Sequence, residues 1–277
     1  VKEVNTGEPD FTRYMLNKYF FHLVKNRCLA QPDLVAIDKY MEKGTDHRLY
    51  LHNLIDEPRL KLEHITGCRY CRENFAGYLE KQNAGISGLP TADRATGALY
   101  YWTRRYHIHI MTEMLRAGSA GARKYRPQVP TTANFTPEVV SGNMVSFGCD
   151  WFEILRGGAL NYGWHEDWAN LSATYQVIGF QSSVMRAACR PGQLDFGVYN
   201  ILRRHPWDIQ AKAFTEIGHG NKAMHFFNYG PYYTISTDSN SQRPEIYQAI
   251  REITAATGQV EEYLTAGKAA RGDAAQP

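Results

Sequence analysis

The chain of 277 residues carries 31 Lys and Arg against 28 Asp and Glu, a formal net charge of +3 with no long run of either sign. That balance gives no basic footprint for nucleic acid or for an anionic membrane surface, and no apolar stretch reaches spanning length. Length sets one large α/β domain with a substantial core as the first expectation. Much of the aromatic content, with 18 Tyr and 5 Trp in all, is clustered in the second half beside Asn, His and acids, which suits a polar, uncharged ligand with flat faces.

The first residue is Val1, so the true amino terminus and its address are expected upstream. Five cysteines, an odd number, make no disulfide framework. Compartment and oligomeric state stay open.

Helical periodicity opens the chain in "DFTRYMLNKYFFHLVKN" (10–26), where Asp10 can cap an apolar stripe. "HRLYLHNLI" (47–55) alternates like a strand and ends on the adjacent acids Asp56 and Glu57. Residues 66–83 read as a helix with Cys71, Phe75, Tyr78 and Leu79 on one face. A long helix follows from about 97 to 118, ending at Gly118. Residues 126–137 read as a short strand with a proline-bounded loop, and 142–155 as a third strand. Then come a helix over 167–189, a buried strand over 192–202, a helix over 207–218, a strand over 221–230 and a last helix over about 243–264. The polar tail 265–277 reads as disordered.

From residue 47 onward this is strand and helix in alternation, with crossovers long enough for a parallel sheet. A complete eight-stranded barrel takes about 250 residues, and only one helix precedes the first strand here. The pattern predicts a single α/β domain over 1–264, a (β/α)8 TIM-barrel type without its first strands.

Barrel enzymes collect their chemistry at the carboxyl ends of the strands. The expected strands end on Asp56 and Glu57; on Asn134; through Trp151 in "CDWFE" to "LNYGWHEDW" with Trp164, Glu166 and Trp168; on Tyr199, Asn200 and Arg203; and on "FFNYGPYY" with Tyr229. Glycoside cleavage needs two carboxyl groups across the scissile bond. Glu57 is the first candidate, since a partly buried strand end favours a protonated acid. Glu166, between Trp164 and Trp168, is the second, while Asp167 beside it can equally cap the helix that starts there.

Other patterns carry plainer meanings. "CRYC" (68–71) has the spacing of a zinc pair but no second CxxC, so structural cysteines are expected. "HIH" (107–109) lies in a helical pattern, where residues two apart point to different faces. "GHG" (218–220) precedes a strand, so it is no phosphate loop; His219 is expected in a turn, with some reach toward the site. No GxSxG elbow is present.

Taken in order, "LIDEP", "CRYCRENFAGYL", "TTANF", "CDWFE" and "GNKAMHFFNYGP" resemble the catalytic barrel of family 42 glycoside hydrolases, the β-galactosidases, and more closely bacterial family-42-like proteins. The resemblance covers about residues 45–235, roughly the last five strands of a barrel. It implies that Glu57 is the acid/base, with Asp56 standing where the family has Asn. It also implies a nucleophile Glu at the end of the seventh strand, yet "QLDFGVYNILRRHPW" (193–207) holds none. Asn200 and Arg203 stand there instead.

The leading expectation is therefore a hydrolase of β-linked glycosides or oligosaccharides that uses no cofactor. Glu57 would be the acid/base and Glu166 the second carboxylate. Trp151, Trp164, Trp168, Tyr199 and Tyr229 would shape sugar subsites; Asp56, Asn134, Asn200, Arg203 and His219 would bind hydroxyls. A degenerate barrel that binds saccharide without cutting it is the alternative. A metal-dependent hydrolase built on His52, His107 and His109 is a third, weaker reading.

Overall fold

The computed structural model of the chain describes residues 51–136, 146–167, 175–202, 205–227 and 243–266. The helix expected over 10–26, Trp168, Arg203, Tyr229 and the tail from 267 lie outside the described residues. Contacts divide the chain into two compact units, with 51–163 and 187–194 in the first and 164–186 and the described residues from 195 onward in the second. No helix among the described residues is long and apolar enough to cross a membrane.

The first unit starts with β1 (His52–Asp56), α1 (Leu62–Gly67) and α2 (Arg69–Lys81). After a 3-10 turn come the long α3 (Ala98–Tyr125), β2 (Thr131–Asn134) and α4 (Trp151–Arg156). The alternation around residue 50 is matched by β1, which pairs in parallel with β2. The register slips by one residue between Asn53 and Asp56. A bulge of this kind bends a strand and re-aims the side chains beyond it, here Asp56 and Glu57. On α2 the expected face is buried, with Cys71, Phe75, Tyr78 and Leu79 inward. Phe75 and Tyr78 meet Tyr106 of α3 at ring separations of 5.2 and 5.0 Å, so helix packing is largely aromatic here.

Two expectations need correction in this unit. The helix α3 does not stop at Gly118 but runs to Tyr125, with Gly118, Ser119, Gly121 and Ala122 all buried. Small side chains there allow close approach to β2, where the Ser119 and Thr131 hydroxyls are 2.6 Å apart. The strand expected over 142–155 is not formed by its described residues: 151–156 are helical. Asp150 decides this, because its carboxylate accepts from the backbone N–H groups of Phe152 and Glu153 and so caps α4.

The third strand is β3 (Gly163–Glu166), followed by α5 (Tyr175–Cys189), β4 (Phe196–Ile201), α6 (Pro206–Gly218), β5 (Ala223–Phe227), α7 (Pro244–Gln259) and α8 (Glu261–Ala266). Residues 265 and 266, expected in a disordered tail, end α8. In the second unit β3, β4 and β5 are hydrogen-bonded in that order, and β4 and β5 run parallel from Gly197 beside Ala223 to Ile201 beside Phe227. Leu202, Ile209, Ala213, Ile246 and Ile253 form the core where β4 meets α6 and α7. The described strands make a two-stranded and a three-stranded sheet, and no closed barrel is seen among the described residues.

Candidate functional site

In the first unit the polar groups gather at the carboxyl ends of β1 and β2. Asn134, fully buried, is the hub: its side-chain amide donates to Asp56 Oδ1 at 2.7 Å, and its backbone N–H donates to Asn53 Oδ1 at 3.1 Å. Its carbonyl accepts from the Glu57 backbone N–H at 2.8 Å. Asp56 therefore takes a positioning role for Asn134, and the two sequence candidates are brought together with Glu57.

Glu57 itself has φ of 46°. That is the left-handed region, costly for a side chain with a Cβ, and the following Pro58 favours extended backbone at this position instead. Strain of this kind persists only where the surroundings over-determine it, and it clusters at functional sites. The bulge and the hydrogen bond to Asn134 are those surroundings here, and they act against the extended backbone that Pro58 favours. The Glu57 side chain is 39% exposed and pairs with the Arg59 guanidinium at 3.2 Å. The acid is thus partly buried, with a cation beside it.

Trp151, expected at a sugar subsite, is wholly buried at the start of α4, with its ring 5.9 Å from that of Phe135. It packs the core beneath the strand ends. His107 Nε2–H donates to the Leu60 carbonyl at 2.6 Å, and His109 stacks on Tyr78 at 5.0 Å. His52, His107 and His109 form no metal-ligating group among the described residues, which corrects the metal-hydrolase reading. The described group with ligand-like spacing is His64, Cys68 and Cys71, whose ligand atoms lie within 4.8 Å of one another. The CxxC pair thus gains a histidine one helical turn earlier, one donor short of a closed zinc tetrahedron.

Burial holds His52, His107 and His165 neutral, each with its pKa lowered to about 4. In the unfolded chain the same imidazoles take up a proton near pH 6.5. Between pH 6.5 and about 4 the unfolded state binds more protons, so these groups weaken the fold as pH falls through that window. His107→Gln keeps a donor for the Leu60 carbonyl and removes one such group. Urea unfolding should show the variant gaining on the wild type as pH drops from 7 to 5; a difference independent of pH would refute this.

In the second unit the alternation of β3, β4 and β5 puts Trp164, Tyr199, His225 and Phe227 together. Tyr199 is the centre, with ring separations of 5.1 Å to Trp164, 4.8 Å to His225 and 6.0 Å to Phe227. Glu166, two residues beyond Trp164 in the same strand, ends β3 with 6% exposure. Gly197 leaves room for the Trp164 ring: a Cβ there would sit 2.4 Å from the ring and 2.7 Å from the Ala223 carbonyl oxygen. His225 and Phe227 were missed in the sequence, although period-two alternation along "AMHFF" from Ala223 marks them as one face.

The remaining candidates in this unit lie elsewhere. Asn200 is fully buried and donates to Glu216 Oε2 on α6 at 3.2 Å. His219 caps α6 before the amino end of β5, and its Nδ1 is 2.7 Å from the Ser183 hydroxyl; it stands at the end of β5 opposite the carboxyl rim. Asp167 reaches across to β4, accepting from the Ile201 N–H at 2.7 Å, and pairs with Lys212 at 2.7 Å.

No family model and no curated protein matches the chain. Among solved structures, the β-galactosidase from Bacillus circulans sp. alkalophilus is similar over 83% of this chain, with a TM-score of 0.59 and 11% sequence identity. This chain spans 39% of that protein. At such identity the likeness concerns the fold: a mixed α/β chain with parallel strands, folded like part of a glycosidase.

Proposed function

We propose that this chain is part of a (β/α)8 barrel hydrolase that cleaves β-linked glycosides, with Glu57 as general acid/base and Glu166 as the second carboxylate. The observation that carries the reading is Glu57 itself: an accessible carboxylate at the carboxyl end of a parallel strand, in a strained backbone conformation, with its N–H bound to the Asn134 carbonyl. The fold likeness to a β-galactosidase supports the substrate class. In this account Glu57 protonates the leaving oxygen and later receives a proton from water. Glu166 supplies the negative charge that meets the oxocarbenium-like transition state. His225 and Phe227 supply flat surface for a sugar ring, backed by Trp164 and Tyr199, which are themselves buried, and Asp56 with Asn134 fixes the backbone from which Glu57 projects. Trp168, Tyr229 and Arg203 keep their proposed places at the sugar subsites.

Assay of the complete protein against a panel of aryl β-glycosides tests this, with turnover expected for the wild type and lost in Glu57→Gln. The alternative, a barrel that binds saccharide without cutting it, is favoured by one observation: β4 ends on Asn200 and Ile201, with no carboxylate within the strand. Calorimetric saccharide binding together with no turnover across the panel would select that reading.

A further inference from the structure

Beneath the end of β3 lies a charged cluster that the proposed chemistry does not use. Asp167 and Lys212 are 1% exposed and Glu216 is fully buried. Lys212 pairs with Asp167 Oδ2 at 2.7 Å and donates to the Ile201 carbonyl at 2.6 Å. Asp167 Oδ1 accepts from the Ile201 N–H, and the Asp167 backbone N–H donates to the Tyr199 carbonyl at 3.2 Å. Glu216, one helical turn from Lys212 on α6, accepts from the Asn200 side-chain amide and lies within reach of the Asp167 charge. Two carboxyls and one ammonium thus lie together in a dry site, where an uncompensated charge is very costly.

We propose that Asp167, Lys212 and Glu216 are a positioning set that retains one proton between its two carboxyls and so ties the carboxyl ends of β3 and β4 to α6. The proton sits on Glu216. Its pKa is raised well above the ordinary value by burial and then by the Asp167 charge. Burial raises Asp167 too, but Lys212 and the Ile201 N–H pull it back toward ionisation. Every described element around Glu216 agrees. β4 offers neutral Asn200, and the turn after α6 offers Asn221, whose amide bonds the Glu216 carbonyl and Ser182 of α5. From α7, Ile246 and Ile253 join the apolar core, while Glu252 binds Gln210 on the exposed side. Because Asp167 directly follows Glu166, the set fixes the backbone beside the proposed second carboxylate. That bearing on the site rests on the reading above, whereas the test below needs no turnover.

A carboxyl whose folded pKa is raised makes stability fall as pH climbs from its ordinary value of 4.5 toward the folded one, since only the folded state keeps the proton. Glu216→Gln and Asp167→Asn each leave one carboxyl for one ammonium in nearly the native shape. Urea unfolding of the full chain and both variants from pH 5 to 8 reads the effect. The wild-type folding equilibrium should fall relative to each variant by up to about tenfold per pH unit. A wild-type-to-variant ratio that does not change with pH would overturn the proposal. Failure of both variants to fold at pH 5, where the native site is already neutralised, would overturn it equally.

Discussion

Glu57→Gln is expected to lower turnover of an unactivated β-glycoside by roughly 10²- to 10⁴-fold, the usual contribution of a positioned general acid/base, with stability changed by no more than about 0.5 kcal/mol. Gln keeps the size of the side chain, and the lost partner is Arg59 in an exposed pair, which is worth little in water. Glu57→Gly sharpens the contrast. At φ of 46° glycine bears no Cβ penalty, so this variant should be more stable than wild type by about 1 kcal/mol and equally inactive. A residue that is better for the fold when replaced and indispensable for turnover is one whose conformation serves chemistry. Chemical unfolding and glycoside assays on the same three proteins check both halves. If Glu57→Gly is destabilised by 1 kcal/mol or so, the strain is not stored there.

The second large effect is expected at Gly197→Ala. The added methyl would lie 2.7 Å from the Ala223 carbonyl oxygen of β5 and 2.4 Å from the Trp164 ring. The ring can rotate away only by giving up its packing on Tyr199, and the carbonyl belongs to the β4–β5 pairing. Overpacking of this kind costs about 1–3 kcal/mol, and here the upper end is expected because one neighbour is backbone. Denaturant unfolding measures the cost. Saccharide affinity should drop with it, since Trp164 is displaced from the aromatic group around Tyr199.

The same contacts show which parts of the fold are written locally in the sequence. Four of the five described strands lie where alternation or a buried apolar run predicts them, because a period of two leaves a direct trace. The third was misplaced: an apolar run such as "GNMVSFGCDWFEIL" suits either strand or helix, and the choice rests on one carboxylate, Asp150, at the cap. Gly118 misled for a related reason. It is buried inside α3 rather than ending it, next to the Ser119 that meets Thr131 of β2, and that is visible only once β2 is placed.

At the candidate site, Asp56, Glu57 and Asn134 were legible as polar groups on successive strand ends, but the left-handed backbone of Glu57 was not, since a residue before proline is expected to be extended. Lys212 and Glu216, four apart on α6, have the spacing of a surface ion pair. Asp167, 45 residues earlier, turns them inward. Trp151 looked like a sugar platform by its neighbours in sequence, yet it is the largest fully buried side chain among the described residues. Aromatic residues serve cores and ligands with the same chemistry, and only burial separates the two uses.

The most direct test of the account compares leaving groups. A general acid matters in proportion to the proton its leaving oxygen needs, so wild type and Glu57→Gln should be assayed on a β-glycoside with a poor leaving group, such as methanol, and on one with a good one, such as dinitrophenol. The account predicts a loss of roughly 10²-fold or more on the poor leaving group and a much smaller loss on the good one. Undiminished turnover on both, or an equal loss on both, would contradict the assignment of Glu57 as the acid.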